Sequence, residues 1–306
     1  MRRFRTYAEV ESPGGDVPAQ VEAQMERLAR RLEPVRAVWL VASGKGGVGK
    51  SAVTANLAAA LAARGLAVGA LDADLNGPSL ARMLGADRGA LPADGRAIRP
   101  AAGAGGTRVM SMDLLLEAGD PVRWREPAAF GFVWQSALET GALREFLADV
   151  DWGHLDLLLL DLPPGTDKLL RTFQLIPEPA GVLLVTTPSE AARSVVHRSL
   201  RLTRELGPVR VGLVANMTGH VCSACGHHEP LFGTDAARTL ARETGTDLWA
   251  EIPFSASLAR DTDAGRPPTL DPTADDPAAT AIRGLAGRVA DTIPPHDRTE
   301  HPREKP

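Results

Sequence analysis

No apolar stretch of this chain approaches the ~18 residues that crossing a bilayer requires, and the opening MRRFRTYAEVESPGG lacks the hydrophobic core of a secretory signal. The expectation is a cytoplasmic protein without a membrane partner. Cysteine is nearly missing: Cys222 and Cys225 are the only two, too few for a disulfide scaffold. In a reducing compartment their closeness points to a metal or redox role. Excess positive charge is missing as well. The net charge of -4 gives no electrostatic footprint for sequence-independent nucleic-acid binding, so no nucleic-acid partner is expected. Lysine is scarce, with only Lys45, Lys50, Lys168 and Lys305 among 34 basic residues.

What is present suffices for a full core: 306 residues, 44% of them hydrophobic. Short apolar runs alternate with helical patterns from Ala37 onward: VWLVAS, VGALDAD, VMSMDL, LLLLD, GVLLVTT, VGLVAN and DLWAEIP. Runs this continuous are buried on both faces, the mark of a parallel sheet covered by helices. The fold class expected is α/β, a three-layer sandwich with a mostly parallel central sheet. Residues 1–36 read as an extension with one amphipathic helix, because Val17, Val21, Met25, Leu28 and Leu32 recur at helical spacing. Residues 37–287 read as the main domain, with a long connection from Gly85 to Gly106 that has room for a hairpin. Residues 288–306 are polar and proline-broken and read as a disordered tail.

The densest chemistry is SGKGGVGKSAV, Ser43 to Val53. Gly44, four further residues (Lys45, Gly46, Gly47 and Val48), then Gly49, Lys50 and Ser51 form a phosphate-loop pattern between a predicted strand and a predicted helix. Glycines there let backbone N–H groups turn toward phosphate oxygens at the positive end of a helix. Lys50 reaches the outer phosphates, and the Ser51 hydroxyl suits Mg²⁺. Two of the four lysines fall in this loop, where a compact ammonium fits better than a planar guanidinium. Asp161, ending the LLLLD run, is placed to meet Mg²⁺ through water, and Gly165 in the following LPPGTD fits a γ-phosphate sensor. Asp72 and Asp74 end another strand, and Asp74 is the candidate for orienting an attacking water. The plain alternative for Asp161 and for Asp74 is a helix cap or an ordinary strand-end charge.

Cys222-Ser-Ala-Cys225 is followed by Gly226, His227 and His228. Three chemistries compete: zinc held by the pair with histidines of one chain, a redox dithiol, which lacks the thioredoxin-like setting it would want, or an iron-sulfur cluster with thiolates from two chains. Spacing alone leans toward zinc.

Taken together, KGGVGKS, DADLNGPS, DLPPGTD, VANM and VCSACGHHE resemble the Mrp/ApbC-type iron-sulfur carrier ATPases. These belong to the P-loop NTPases with a deviant, two-lysine Walker A motif, related to the MinD/ParA-type ATPases. The resemblance covers roughly Val38 to Pro268. It implies ATP and Mg²⁺ as cofactors, hydrolysis that the departures given below would slow, and a homodimer in which Lys45 reaches the partner's nucleotide. It further implies that Ala52 stands near the α-phosphate and Asn216 contacts adenine, with Pro253 bordering the base. Four thiolates from two chains would hold a 4Fe-4S cluster destined for apo iron-sulfur client proteins. The alternative is a dimerising switch of the division or partition type with a zinc-holding CxxC. Departures are visible: Ala52 replaces a threonine, the switch lacks one glycine before Asp167, and Glu126 stands where glycine is usual. Many bacterial members carry a further carrier domain where this chain shows only the short helix.

Overall fold

Strand formation follows from side chains that find apolar partners on both faces. In β1 (Val38–Ala42), Trp39 and Val41 face one core while Val38, Leu40 and Ala42 face another. The computed structural model describes residues 17–87, 97–115, 131–176, 178–205, 207, 209–222, 225–233 and 235–295. The first 16 residues, the stretch containing Glu126, and the chain from His296 onward lie outside them.

Beyond β1 the sheet is built from β2 (Val68–Asp72), β3 (Ala101–Ala102), β4 (Arg108–Met110), β5 (Leu157–Asp161), β6 (Gly181–Thr186), β7 (Val211–Val221), β8 (His228–Pro230) and β9 (Asp247–Phe254). Its order is β3-β4-β2-β5-β1-β6-β7, with β8 and β9 both joined to β7. Every pairing among the described residues is parallel except β3 with β4 and β7 with β8. All seven apolar runs thus became strands of a mostly parallel sheet. The short β3–β4 hairpin lies at the end of the long connection.

The helices are α1 (Val17–Leu32), α2 (Lys50–Ala63), α3 (Leu80–Met83), α4 (Gly131–Asp149), α5 (Thr166–Leu175), α6 (Glu190–Glu205), α7 (Ala236–Thr244), α8 (Ala256–Asp263) and α9 (Pro277–Ala290). One layer packs α2 and α9 on the sheet through Leu57, Leu61, Ile282 and Leu285. The opposite layer holds Leu28 of α1 with Phe146 and Leu147 of α4. Two close approaches fix the layers: a Cβ at Gly181 would lie 2.4 Å from the Trp39 ring, and one at Gly212 2.5 Å from Trp249. Those indoles pack at 5.3 Å between centroids. The folded body continues to Ala290, past the boundary expected at 287, because Leu285, Ala286 and Val289 keep helical spacing against the core.

Candidate functional site

The phosphate loop joins β1 to α2, and neighbouring elements hold it closely. Gly44 admits no side chain, since a Cβ there would lie 2.1 Å from Val195 Cγ1 on α6. Gly49 caps α2 in the left-handed region at φ 77°, and its Cβ would meet Asn216 Nδ2 at 2.4 Å. Lys45, Gly46 and Gly47 are exposed at the loop's crest, Val48 is buried beneath it, and Lys50, Ser51 and Ala52 form the first turn of α2.

Asp161, at the carboxyl end of β5, is wholly buried and gathers three donors. Lys50 Nζ lies 2.7 Å from its Oδ1, the Thr54 hydroxyl donates to the same oxygen at 2.7 Å, and the Ser51 hydroxyl donates to Oδ2 at 2.5 Å. A hydroxyl beside a buried carboxylate is an all-oxygen donor set of the kind Mg²⁺ takes. Ser51 and Asp161 therefore fit that ion. Thr54, on the buried face of α2, had no signal in the motif; only the fold brings it to Asp161. The loop after β5 touches the phosphate loop directly, because the Gly165 N–H donates to the Ser43 carbonyl at 3.0 Å.

Asp72 is the partner of Asp161 in the parallel β2–β5 register. Its carboxylate accepts the N–H groups of Asp74 at 3.1 Å, Ser79 at 2.8 Å and Leu80 at 2.9 Å, and so shapes the loop carrying Asp74. Asp74, half-buried, accepts the Gly77 N–H at 3.2 Å. Burial, helped by the charge of Asp161, pushes the Asp72 carboxyl up to about 7, while the N–H groups of Leu80 and Ser79 and the Lys50 charge pull it back. Sequence reasoning passed over Asp72 in favour of Asp74. The spacing of the two acids was a signal that a strand-end carboxylate caps its own loop.

Asn216 on β7 donates its side-chain amide to the Val48 carbonyl at 2.9 Å. The following residue, Met217, adopts φ 57°, and the β7–β9 register shifts just beyond Asn216. Alternation along β7 puts Asn216 on the face of Val214, whose core also holds Val48. Pro253, half-buried on β9, follows Ile252, the register partner of Asn216. The two expected base neighbours therefore sit on adjacent strands, with the Asn216 amide committed to the loop backbone.

β7 continues past Asn216 into a hairpin with β8 whose tip is Cys222 to His227. The tip is closed by Cys222 N–H to the His227 carbonyl at 2.9 Å and Gly226 N–H to the Cys222 carbonyl at 2.8 Å. Cys222 is half-buried, Cys225 is exposed, and neither is in a disulfide. His228 lies against β7, where a Cβ on Gly219 would stand 2.4 Å from its Nε2. Among the described residues no three His, Cys, Asp or Glu side chains converge as a metal site. No helix among them is long and apolar enough to cross a membrane.

Residues 34–290 match the ParA-type family described as NUBPL iron-transfer P-loop NTPase. An iron-sulfur cluster carrier protein of Saccharolobus solfataricus is 38% identical over 275 residues, which is 89% of each chain. A nucleotide-binding protein of Archaeoglobus fulgidus, solved in complex with ADP and with cobalt found, shares 36% identity at a TM-score of 0.67, covering 79% of this chain and 91% of that one. The cell division ATPase MinD of Pyrococcus furiosus, at 22% identity and a TM-score of 0.56, shares the fold over 84% of this chain and 99% of its own. With a phosphate loop between β1 and α2, acids ending β2 and β5, and a family match over most of its length, the chain belongs to the NUBPL-type iron-transfer P-loop NTPases of the ParA family.

Proposed function

We propose that this protein is an ATP-hydrolysing carrier of iron-sulfur clusters that works as a homodimer. The observation that carries the reading is the path of β7. This one strand holds the phosphate loop through Asn216 and, six residues later, presents Cys222 at the hairpin tip. In this reading a change in the loop reaches the thiols along β7, through the irregularity that follows Asn216.

In this reading the backbone of Gly44 to Gly49 cradles the phosphates, Lys50 exchanges Asp161 for the outer phosphate oxygens, and Ala52 stands near the α-phosphate. Ser51, and Asp161 through water, would hold Mg²⁺, which would supply charge neutralisation beside the phosphates. Asp74 orients the attacking water, and Lys45, exposed at the crest, serves the nucleotide of the partner. Asn216 and Pro253 border the base. Cys222 and Cys225 give two thiolates per chain, so a 4Fe-4S cargo requires a second copy. Leu231 and Phe232 at the foot of the hairpin and Phe254 on β9, all large and exposed, provide apolar surface for that copy. Apo iron-sulfur proteins receive the cargo.

Transfer tests the reading. Cluster-loaded protein mixed with an apo-acceptor should restore the acceptor's activity at a rate that Mg-ATP changes, and Cys222→Ser protein should restore none. Equal restoration by the Cys222→Ser variant and by free iron and sulfide would refute it.

A further inference from the structure

Glu139 on α4 accepts hydrogen bonds from a loop and from a neighbouring helix at once. Its Oε1 takes the side-chain amide of Asn76 at 2.7 Å, and its Oε2 takes the Lys168 ammonium. Asn76 lies two residues beyond Asp74, in the loop that leaves β2. Lys168 lies three residues beyond Gly165, in the first turn of α5 behind β5. These segments leave the carboxyl ends of adjacent strands, where Asp72 and Asp161 are paired. The only described carboxylate bridging them comes from neither strand.

The Lys168 arm of this contact is partly shielded, the Asn76 arm is exposed, and the helix between them is anchored. Side-chain exposures are 25% for Lys168 and 15% for Glu139, against 83% and 57% for the surface pair Arg201–Glu205. A pair like the latter contributes little. α4 itself is fixed, because Phe146 and Leu147 are buried with Leu28 of α1 and Arg31 Nε donates to the Ala148 carbonyl at 3.3 Å. Glu139 therefore stands on an element with its own attachment to the body. Lys168 is also one of four lysines in a chain that uses arginine elsewhere.

We propose that Glu139 is a positioning residue for hydrolysis, a latch that fixes the loop of Asp74 against the loop of Gly165. The proposal rests on the reading of the chain as an ATPase. Glu139 acts through Asn76 and Lys168, both outside the phosphate loop, so the latch governs turnover and leaves nucleotide binding alone. Small displacements of positioned groups cost large factors in rate.

The test uses the full chain with Glu139→Gln, Lys168→Met and the double variant. Glu139→Gln keeps an acceptor for Asn76 and loses the charge that holds Lys168; Lys168→Met breaks the same contact from the other side, should the first variant fold poorly. Each single variant should lower kcat about tenfold with the Kd for Mg-ATP within about twofold, and the double should be no slower than the slower single. Hydrogen exchange at the amides of 74–79 and 165–168 should quicken in both singles. That readout needs no turnover, so a wild-type protein inert toward ATP would sink the ATPase reading while the latch is still tested. Unchanged exchange in both loops, or losses in kcat that multiply in the double variant, would overturn the latch.

Discussion

Lys50 Nζ stands 2.7 Å from Asp161 Oδ1, with the lysine side chain 7% exposed and the carboxylate wholly buried. The loop lysine is thus held by the strand-end acid beside the phosphate loop. Removing the ammonium leaves a buried carboxylate with hydroxyl donors alone. Lys50→Met should abolish Mg-ATP binding and lower the unfolding free energy by roughly 3 kcal/mol, the lower end for a broken buried pair. Lys50→Met combined with Asp161→Asn should regain part of that stability. Urea titration decides, and wild-type stability in the single variant would contradict the pairing.

Asp72 sets a pH dependence of folding in protein free of nucleotide and Mg²⁺. Its carboxyl is raised from the ordinary 3.8 to about 7, so between those values the folded state holds a proton that the unfolded state has released. Its contribution to stability is complete below the lower value and is lost as pH rises through the upper one, by at most ~1.4 kcal/mol per pH unit. Asp72→Asn should flatten that fall. Denaturation profiles of both proteins from pH 4 to about 8 check it; parallel profiles would remove Asp72 as the cause.

Lys45 at the exposed crest should matter for turnover and not for binding. Lys45→Ala should keep Mg-ATP affinity and lose most hydrolysis, because the transition state loses a cation given in trans. Mixing it with Lys50→Ala chains leaves one competent site that receives Lys45 from its neighbour, so activity should partly return. Proven heterodimers that stay inactive would count against the trans role.

Ala52, in the first turn of α2, brings no hydroxyl. Ala52→Thr should tighten nucleotide binding about tenfold, since a hydrogen bond to a charged phosphate is worth ~1.5–3 kcal/mol. Calorimetric titration measures it, and an unchanged or weaker affinity would show that the α-phosphate does not pass this turn.

Strands β1, β2, β5 and β6 were legible because each is buried along its whole length and reads as an apolar run, and the phosphate loop because glycine spacing is a local pattern. Contacts made across the chain were not. Thr54 meets Asp161 from 107 residues away, and Glu139 meets Asn76 from 63, with nothing nearby in sequence to mark either. The resemblance put Asn216 beside the base, but its hydrogen bond to the Val48 carbonyl, 168 residues away, had no local mark either. The tail boundary was set by charge and proline content, which hid Val289, fully buried at the end of α9.

Counting iron and sulfide per chain tests the central claim most directly. Two thiols per chain at the tip of the β7–β8 hairpin oblige a 4Fe-4S cargo to span two copies. Anaerobic reconstitution followed by iron and sulfide assay and sizing should give about four of each per dimer. Cys222→Ser or Cys225→Ser should remove both while leaving Mg-ATP binding intact. One tightly held zinc per chain, released by the His227→Ala, His228→Ala double variant, would contradict the account and make the hairpin a zinc site within each chain.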